Sequence, residues 1–315
     1  MQDLIEGLND KQKEAVLNTD GPCLVIAGAG SGKTKVLTHK IAYLMAEKNI
    51  KPWNILAITF TNKAANEMKQ RVENLVGEAA KDMWIGTFHS ICVRILRKTI
   101  DRIGFDSSFL IFDTSDQKTL IKECMKTLKI DDKMFTDKSV LAEISNGKNE
   151  MLEPKAYMVK YAGDFRREKI GEIYELYQKR LKENNAIDFD DIINFTIKIL
   201  TENPDILEYY SEKFKYILVD EYQDTNKAQF TLVTILASRY GNITVVGDND
   251  QGIYSFRGAD ISNILNFEKD YPGTKIIKLE QNYRCTGNIL NAANAVIKHN
   301  ENKYEKKLWT QNDEG

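Results

Sequence analysis

Leu24-Val25-Ile26-Ala27-Gly28-Ala29-Gly30-Ser31-Gly32-Lys33-Thr34 runs an apolar, strand-length segment into a turn of small residues that ends in Gly-Lys-Thr. An amphipathic stretch from Lys35 to Met45 follows. Strand, glycine-rich turn and helix, in that order, are what a phosphate-cradling loop requires. Glycines let consecutive backbone N–H groups converge on an anion, and the helix N-terminus adds the positive end of its dipole. Lys33 is placed to reach the β- and γ-phosphates of a nucleoside triphosphate, with the Thr34 hydroxyl on Mg²⁺. Ala27, Gly28, Ala29, Gly30, Ser31, Gly32, Lys33, Thr34 and Lys35 make up the expected cradle. Ala27 stands where the strict pattern G-x-x-x-x-G-K-[ST] has glycine.

Composition sets the outer bounds. A chain of 315 residues with 42% hydrophobic and 29% charged residues fits an ordinary globular protein of one to three domains. No apolar run approaches the roughly 18–20 residues that span a membrane, and Met1-Gln2-Asp3-Leu4 carries no basic-then-apolar leader. A cytoplasmic location is expected. Cys23, Cys92, Cys124 and Cys285 are far apart and read as packing residues in a reducing compartment. His39, His89 and His299 share no metal-ligand spacing. The net charge of −2 argues against a protein coated in nucleic acid, so any such contact must come from a local groove.

Ahead of the loop, Asn9 is a candidate helix N-cap. Gln12 is either an ordinary surface residue or, through its amide, a reader of an adenine edge. Trp53–Phe60 and Met83–Thr87 read as further strands, each followed by a polar cluster (Thr59–Lys63 and Thr87–Ser90) and a helix. Strands alternating with helices imply an α/β fold with a parallel sheet and ligands at the strands' C-terminal ends. From about Thr114 to Asn185 the pattern changes. Leu120, Ile121, Cys124, Met125 and Leu128, then Ile173, Leu176, Tyr177 and Leu181, recur at helical spacing, which implies an inserted all-helical subdomain. The chain is expected back in the sheet near Ile187. Asp188, Asp190 and Asp191 fit either a metal cluster or, more commonly, the acid-enriched start of a helix.

Phe214–Glu221 is a buried strand that delivers two adjacent carboxylates at its end. Beside a phosphate loop, Asp220 is expected to hold Mg²⁺, and Glu221 to orient and deprotonate the attacking water. Ile243–Asp248 is another strand, leading into Asn249-Asp250-Gln251-Gly252-Ile253-Tyr254-Ser255-Phe256-Arg257-Gly258-Ala259. Gln251 is placed near a γ-phosphate. Tyr254, Phe256 and Arg257 form either a small local core or a stacking platform for single-stranded bases. A last strand, Lys275–Leu279, precedes Gln281-Asn282-Tyr283-Arg284, a helix over about Thr286–His299, and a charged exit at Lys303–Lys307.

Together and in this order, these pieces resemble the UvrD/Rep/PcrA-type superfamily 1 DNA helicases, whose first domain is a RecA-like P-loop NTPase. The matching stretches run from Leu8-Asn9-Asp10-Lys11-Gln12 to Gln281-Asn282-Tyr283-Arg284. The most specific are Ile58–Ala65, Val219–Thr225 and Gln251–Ala259. The resemblance implies that Gln12 recognises adenine, that Tyr283 stacks on it, and that Arg284 stabilises transition-state charge. It implies that Gln251 couples the γ-phosphate to a DNA groove. Phe60, Thr61, Asn62, Thr87, His89, Tyr254, Phe256 and Arg257 would line a single-strand path. Ala27 is in keeping with relatives whose loop begins Ala-Gly. Phe256 stands where relatives often carry tryptophan, and Asn249 and Gly252 replace a usual acid and serine.

Such a family also needs a second RecA-like domain to complete the ATP and DNA sites. The expected organisation is therefore a motor domain (1–113 and 186–280), a helical insertion (114–185), and the start of a second motor domain (281–315) whose remainder is a C-terminal partner in the same protein. The implied activity is ATP-dependent 3′–5′ translocation on single-stranded DNA and at duplex junctions. A helicase–nuclease motor and a nucleotide-dependent binding module are the alternatives.

Overall fold

The computed structural model describes residues 2–131, 133–255, 258–300 and 304–315, so Phe256 and Arg257 lie outside the described residues. The strands are β1 (Cys23–Ala27), β2 (Ile55–Thr59), β3 (Trp84–Thr87), β4 (Leu110–Ile111), β5 (Ala186–Ile187), β6 (Tyr216–Val219), β7 (Ile243–Gly247), β8 (Lys275–Leu279), β9 (Gln281–Asn282) and β10 (Trp309–Thr310). Six of them form one sheet in the order β3-β2-β6-β7-β1-β8, and every pairing in it is parallel. Every residue of β1, β2 and β7 is buried. That is why these segments read as unbroken apolar runs: helices cover both faces of a parallel sheet, and no face needs polar residues. Trp53 falls outside its strand, in a 3-10 turn over Pro52–Asn54.

By contacts the chain divides into two compact units. One comprises Met1–Ile91, Glu208–Thr225 and Val233–Gly315; the other comprises Cys92–Leu207 and Asn226–Leu232. The first holds the six-stranded sheet, with a core that includes Val25, Leu37, Ile41, Ala57, Met68, Leu218 and Val246. The order of its strands creates a switch point. β1 is followed in sequence by β2, which sits beyond β7 and β6, so the loops after β1, β6 and β7 share one end of the sheet.

The second unit takes in residues on both sides of 114–185. Its helices Thr114–Thr127, Asp137–Asn149 and Phe165–Glu183 pack Leu120, Ile121, Val140, Ile144, Ile173 and Tyr177 into a separate core. The chain does not return to the main sheet near Ile187. Instead β5 pairs with β4 in a two-stranded parallel ribbon, Leu110 opposite Ala186 and Ile111 opposite Ile187. A two-residue segment carries no periodicity, so its pairing partner was invisible in the sequence. The acids that follow make a capping box: Asp188 and Asp191 each accept from the other's backbone N–H. The buried Lys148 ammonium donates to Asp188 Oδ2 at 2.6 Å and to Asp191 Oδ1 at 2.7 Å. Burial alone would lower the Lys148 pKa, but the two carboxylates outweigh it and raise it. Of the two readings left open for these acids, the geometry is that of a paired helix start.

The end of the chain also departs from expectation. Among the described residues of the charged exit, Lys306 is not solvated: its side chain is 4% exposed and ion-paired to Asp248.

Candidate functional site

The loop after β1 is held open from outside. Gly30 and Gly32 have φ of +69° and +88°, a conformation that side-chain-bearing residues rarely adopt. Three successive carbonyls of the loop are tied to neighbours. The Asn282 Nδ2 amide donates to Ala29 O at 2.7 Å, the Tyr283 N–H to Gly30 O at 2.9 Å, and the Gln12 Nε2 amide to Ser31 O at 2.9 Å. With these three carbonyls drawn outward, N–H groups of the loop other than that of Ser31, which donates to Gly28 O at 3.3 Å, are left for an anion, the arrangement of a phosphate nest. A Cβ at Gly30 would lie 2.7 Å from Arg284 Cβ, so the Asn282-Tyr283-Arg284 segment rests directly on the loop. The helix Lys33–Ala46 begins at the end of the loop and aims its N-terminus at the same place.

Strand β6 brings the acids to this point. Thr34 Oγ1 lies 3.5 Å from Asp220 Oδ2, and Lys33 Nζ lies 3.6 Å from Glu221 Oε2. Burial, with the Glu221 carboxylate second, raises Asp220 to about 6. A hydroxyl and a carboxylate at this separation are hard oxygen donors that fit Mg²⁺, and a dication between them would reverse the cost of burying Asp220. Glu221 itself sits at φ +48°, ψ +43°, a left-handed conformation that costs a non-glycine residue about 1 kcal/mol or more. What holds it there is its own N–H, which donates to Asp220 Oδ1 at 3.0 Å, and a hydrogen bond from Gln223.

Gln223 is a residue to which sequence reasoning gave no role. It is 1% exposed, donates to Glu221 Oε2 at 2.9 Å, and accepts from the Asp248 N–H at 3.0 Å. It therefore joins the acid after β6 to the loop after β7. In that loop Gln251 Nε2 donates to Asp248 Oδ2 at 2.6 Å. Asp224, next to Gln223, is raised to about 6 by burial and by Glu221. Asn282 was likewise missed: besides holding Ala29, its Oδ1 accepts from the N–H groups of Arg284 and Cys285. The signal for both was faint, an amide beside a strand end that is equally at home in any turn.

Gln12 and Tyr283 stand together through Asn9. The Asn9 side chain caps its helix by accepting from Gln12 N at 2.8 Å, as expected, and donates to Tyr283 OH at 2.8 Å. The Gln12 amide is 1% exposed. It spends one N–H on Ser31 and one lone pair on Asn9 N, so one of each is left for a base edge. The Tyr283 ring is half exposed beside it. Lys35 does not converge with the cradle through its side chain, because its ammonium donates to Gly7 O at 2.7 Å; its backbone N–H remains in the first helical turn.

Of the residues expected along a strand path, Phe60, Thr61, Asn62, Thr87 and His89 lie at the same end of the sheet but toward its other edge. Phe60, Thr61 and Asn62 follow β2, Thr87 ends β3 and His89 follows it, with Thr59 paired opposite Thr87. Phe60 packs edge-on against Phe88, ring centroids 5.7 Å apart. Thr61 caps the helix Asn62–Val76. Thr87 and Ser90 exchange hydrogen bonds. β2 is three strands from β1, so this row sits about 14 Å from the phosphate loop at one interstrand spacing per step. Tyr254 is half exposed in the loop after β7.

Residues 8–272 match the model for the UvrD/REP helicase N-terminal domain. The chain is 59% identical over 312 residues to the ATP-dependent DNA helicase PcrA of Bacillus subtilis, covering 99% of this chain and 42% of that protein. It is 57% identical to the PcrA of Staphylococcus epidermidis and 56% identical to that of Staphylococcus aureus, in each case over all of this chain and 43% of the relative. The chain thus spans less than half the length of these curated relatives.

Proposed function

We propose, from the premise that this chain belongs to the UvrD/REP helicase N-terminal domain family, that it is the ATP-hydrolysing part of a DNA helicase that moves 3′ to 5′ on single-stranded DNA. The observation that carries this reading is the meeting of the two strand ends, with Lys33 and Thr34 of one loop 3.6 and 3.5 Å from Glu221 and Asp220 of another. Lys33 binds the β- and γ-phosphate oxygens, while unspent N–H groups within residues 28–34 hold the phosphate chain. Thr34 and Asp220 would hold Mg²⁺, which when bound neutralises phosphate charge. Glu221 accepts the proton of the attacking water, and Arg284 offsets charge that develops on the transferred group. Gln12 and Tyr283 take the adenine.

Single-stranded DNA lies along Phe60, Thr61, Asn62, Thr87, His89 and Tyr254, together with Phe256 and Arg257, which follow Tyr254 in sequence. In this reading residues 1–113 and 186–280 are the motor domain, 114–185 its helical insertion, and 281–315 the beginning of a second motor domain completed elsewhere in the same protein. Closure of the two motor domains on ATP and their reopening after hydrolysis would ratchet the strand, in the cytoplasm. The test is ATP turnover by the full-length protein with and without single-stranded DNA. DNA should stimulate turnover, and Glu221→Gln should bind ATP while hydrolysing it at least a hundredfold more slowly, the range of a lost general base. Normal hydrolysis by that variant removes Glu221 from the mechanism.

A further inference from the structure

Lys306 lies twenty-two residues beyond Arg284 in sequence, yet its ammonium is buried at the end of β7. Its three N–H groups meet three acceptors: Asp248 Oδ1 at 2.5 Å, Asn249 Oδ1 at 3.2 Å, and Asp250 Oδ2. The ammonium is saturated, and all three ion-paired side chains are at most 6% exposed. The chain around it is anchored as well. Lys307 N donates to Glu280 Oε1 and Trp309 N to Glu280 O, each at 2.9 Å, and β10 pairs in parallel with β9.

Asp248 uses its two carboxylate oxygens for different purposes. Oδ1 takes Lys306 and the Asp250 N–H, the latter at 3.0 Å, while Oδ2 takes the Gln251 amide at 2.6 Å. Fixing Oδ1 therefore fixes the plane of the carboxylate and with it the direction of the Gln251 side chain. The Asp248 N–H continues the connection through Gln223 to Glu221.

We propose that Lys306 is a positioning residue for Gln251, tying the segment after residue 303 to the loop that senses the γ-phosphate. The inference rests on the proposed function together with the role that the family resemblance implies for Gln251, the coupling of the γ-phosphate to a DNA groove. Lys306 does not touch nucleotide. It clamps the carboxylate that aims Gln251, and a planar guanidinium cannot reproduce three converging short contacts.

The experiment uses the full-length protein with Lys306→Met, Lys306→Arg and the double variant Lys306→Met/Asp250→Asn. Removing the ammonium is expected to cut DNA-stimulated kcat about tenfold or more while KM for ATP moves less than threefold, with Arg failing to restore it. In the double variant, which buries one charge fewer, the melting temperature should recover without recovery of DNA stimulation. If the double variant regains both, the role is merely structural and the proposal is overturned; DNA-stimulated kcat within twofold of wild type in Lys306→Met overturns it too. Hydrogen exchange over residues 248–251 provides a readout independent of turnover. Faster exchange in Lys306→Met supports positioning, and unchanged exchange overturns it. A wild-type protein whose ATP turnover ignores DNA would instead refute the functional reading, leaving the exchange result to decide the proposal.

Discussion

Replacing Asn282 tests whether the phosphate loop is preorganised by its tied carbonyls. The side chain is 2% exposed and makes three hydrogen bonds of 2.7–2.8 Å: one to Ala29 O, and one each from the N–H groups of Arg284 and Cys285. A net value of about 1 kcal/mol per bond puts the cost of Asn282→Ala at about 3 kcal/mol. The share that falls on the Ala29 carbonyl, about 1 kcal/mol, corresponds to a roughly fivefold loss of nucleotide affinity. Asn282→Asp separates the two roles. It keeps both acceptor contacts, so stability should fall less, but it sets a carboxylate oxygen against the Ala29 carbonyl where a donor had been. Affinity should therefore fall more than in the alanine variant, by about tenfold or more. Titration with a fluorescent ATP analogue in the presence of Mg²⁺ reads the affinity, and thermal melting reads the stability. Wild-type affinity in Asn282→Asp would refute the idea that outward-drawn carbonyls shape the cradle.

Three further outcomes follow from buried charge. Because Asp220 is raised to about 6 in the folded chain, against about 3.9 unfolded, the folded state holds a proton that the unfolded state has released. The stabilisation this gives is full below about pH 4 and lost as pH rises through about 6. Asp220→Asn should flatten that part of the melting-temperature profile of the nucleotide-free protein, raise its stability at mildly alkaline pH, and abolish Mg²⁺-dependent hydrolysis; an unchanged profile counts against it. In the helical unit, Lys148→Met strands Asp188 and Asp191 without their cation and should cost about 3–5 kcal/mol, seen as an earlier urea midpoint. A loss under about 1 kcal/mol would mean those acids are hydrated in the variant. Gln223→Glu replaces the donor on Glu221 with a second carboxylate, and should slow ATP turnover more than Gln223→Ala; the reverse order in single-turnover rates would argue that Gln223 does not orient Glu221.

How much of this was legible depended on the range over which each signal acts. The loop at residues 24–34 and the strand leading into Asp220-Glu221 are local: burial on both faces writes an apolar run, and the chemistry follows it immediately. The sequence also placed Asn9 as a cap, because capping is a contact within one helical turn. It missed whatever depends on two distant segments meeting. Gln223 reaches Asp248, Asn282 reaches Ala29, and Lys306 reaches Asp248 and Asp250, separations over which no periodicity survives. The β4–β5 ribbon failed for the same reason, since two residues carry no pattern of their own. Lys306 shows the cost of reading composition alone. A lysine in a charged run is normally solvated, and only the matched trio of acceptors after β7 makes its burial tolerable. The residues that perform chemistry are thus announced by local pattern. The ones that aim them are decided by the tertiary fold, and are to be sought among buried polar side chains hydrogen-bonded to segments distant in the sequence.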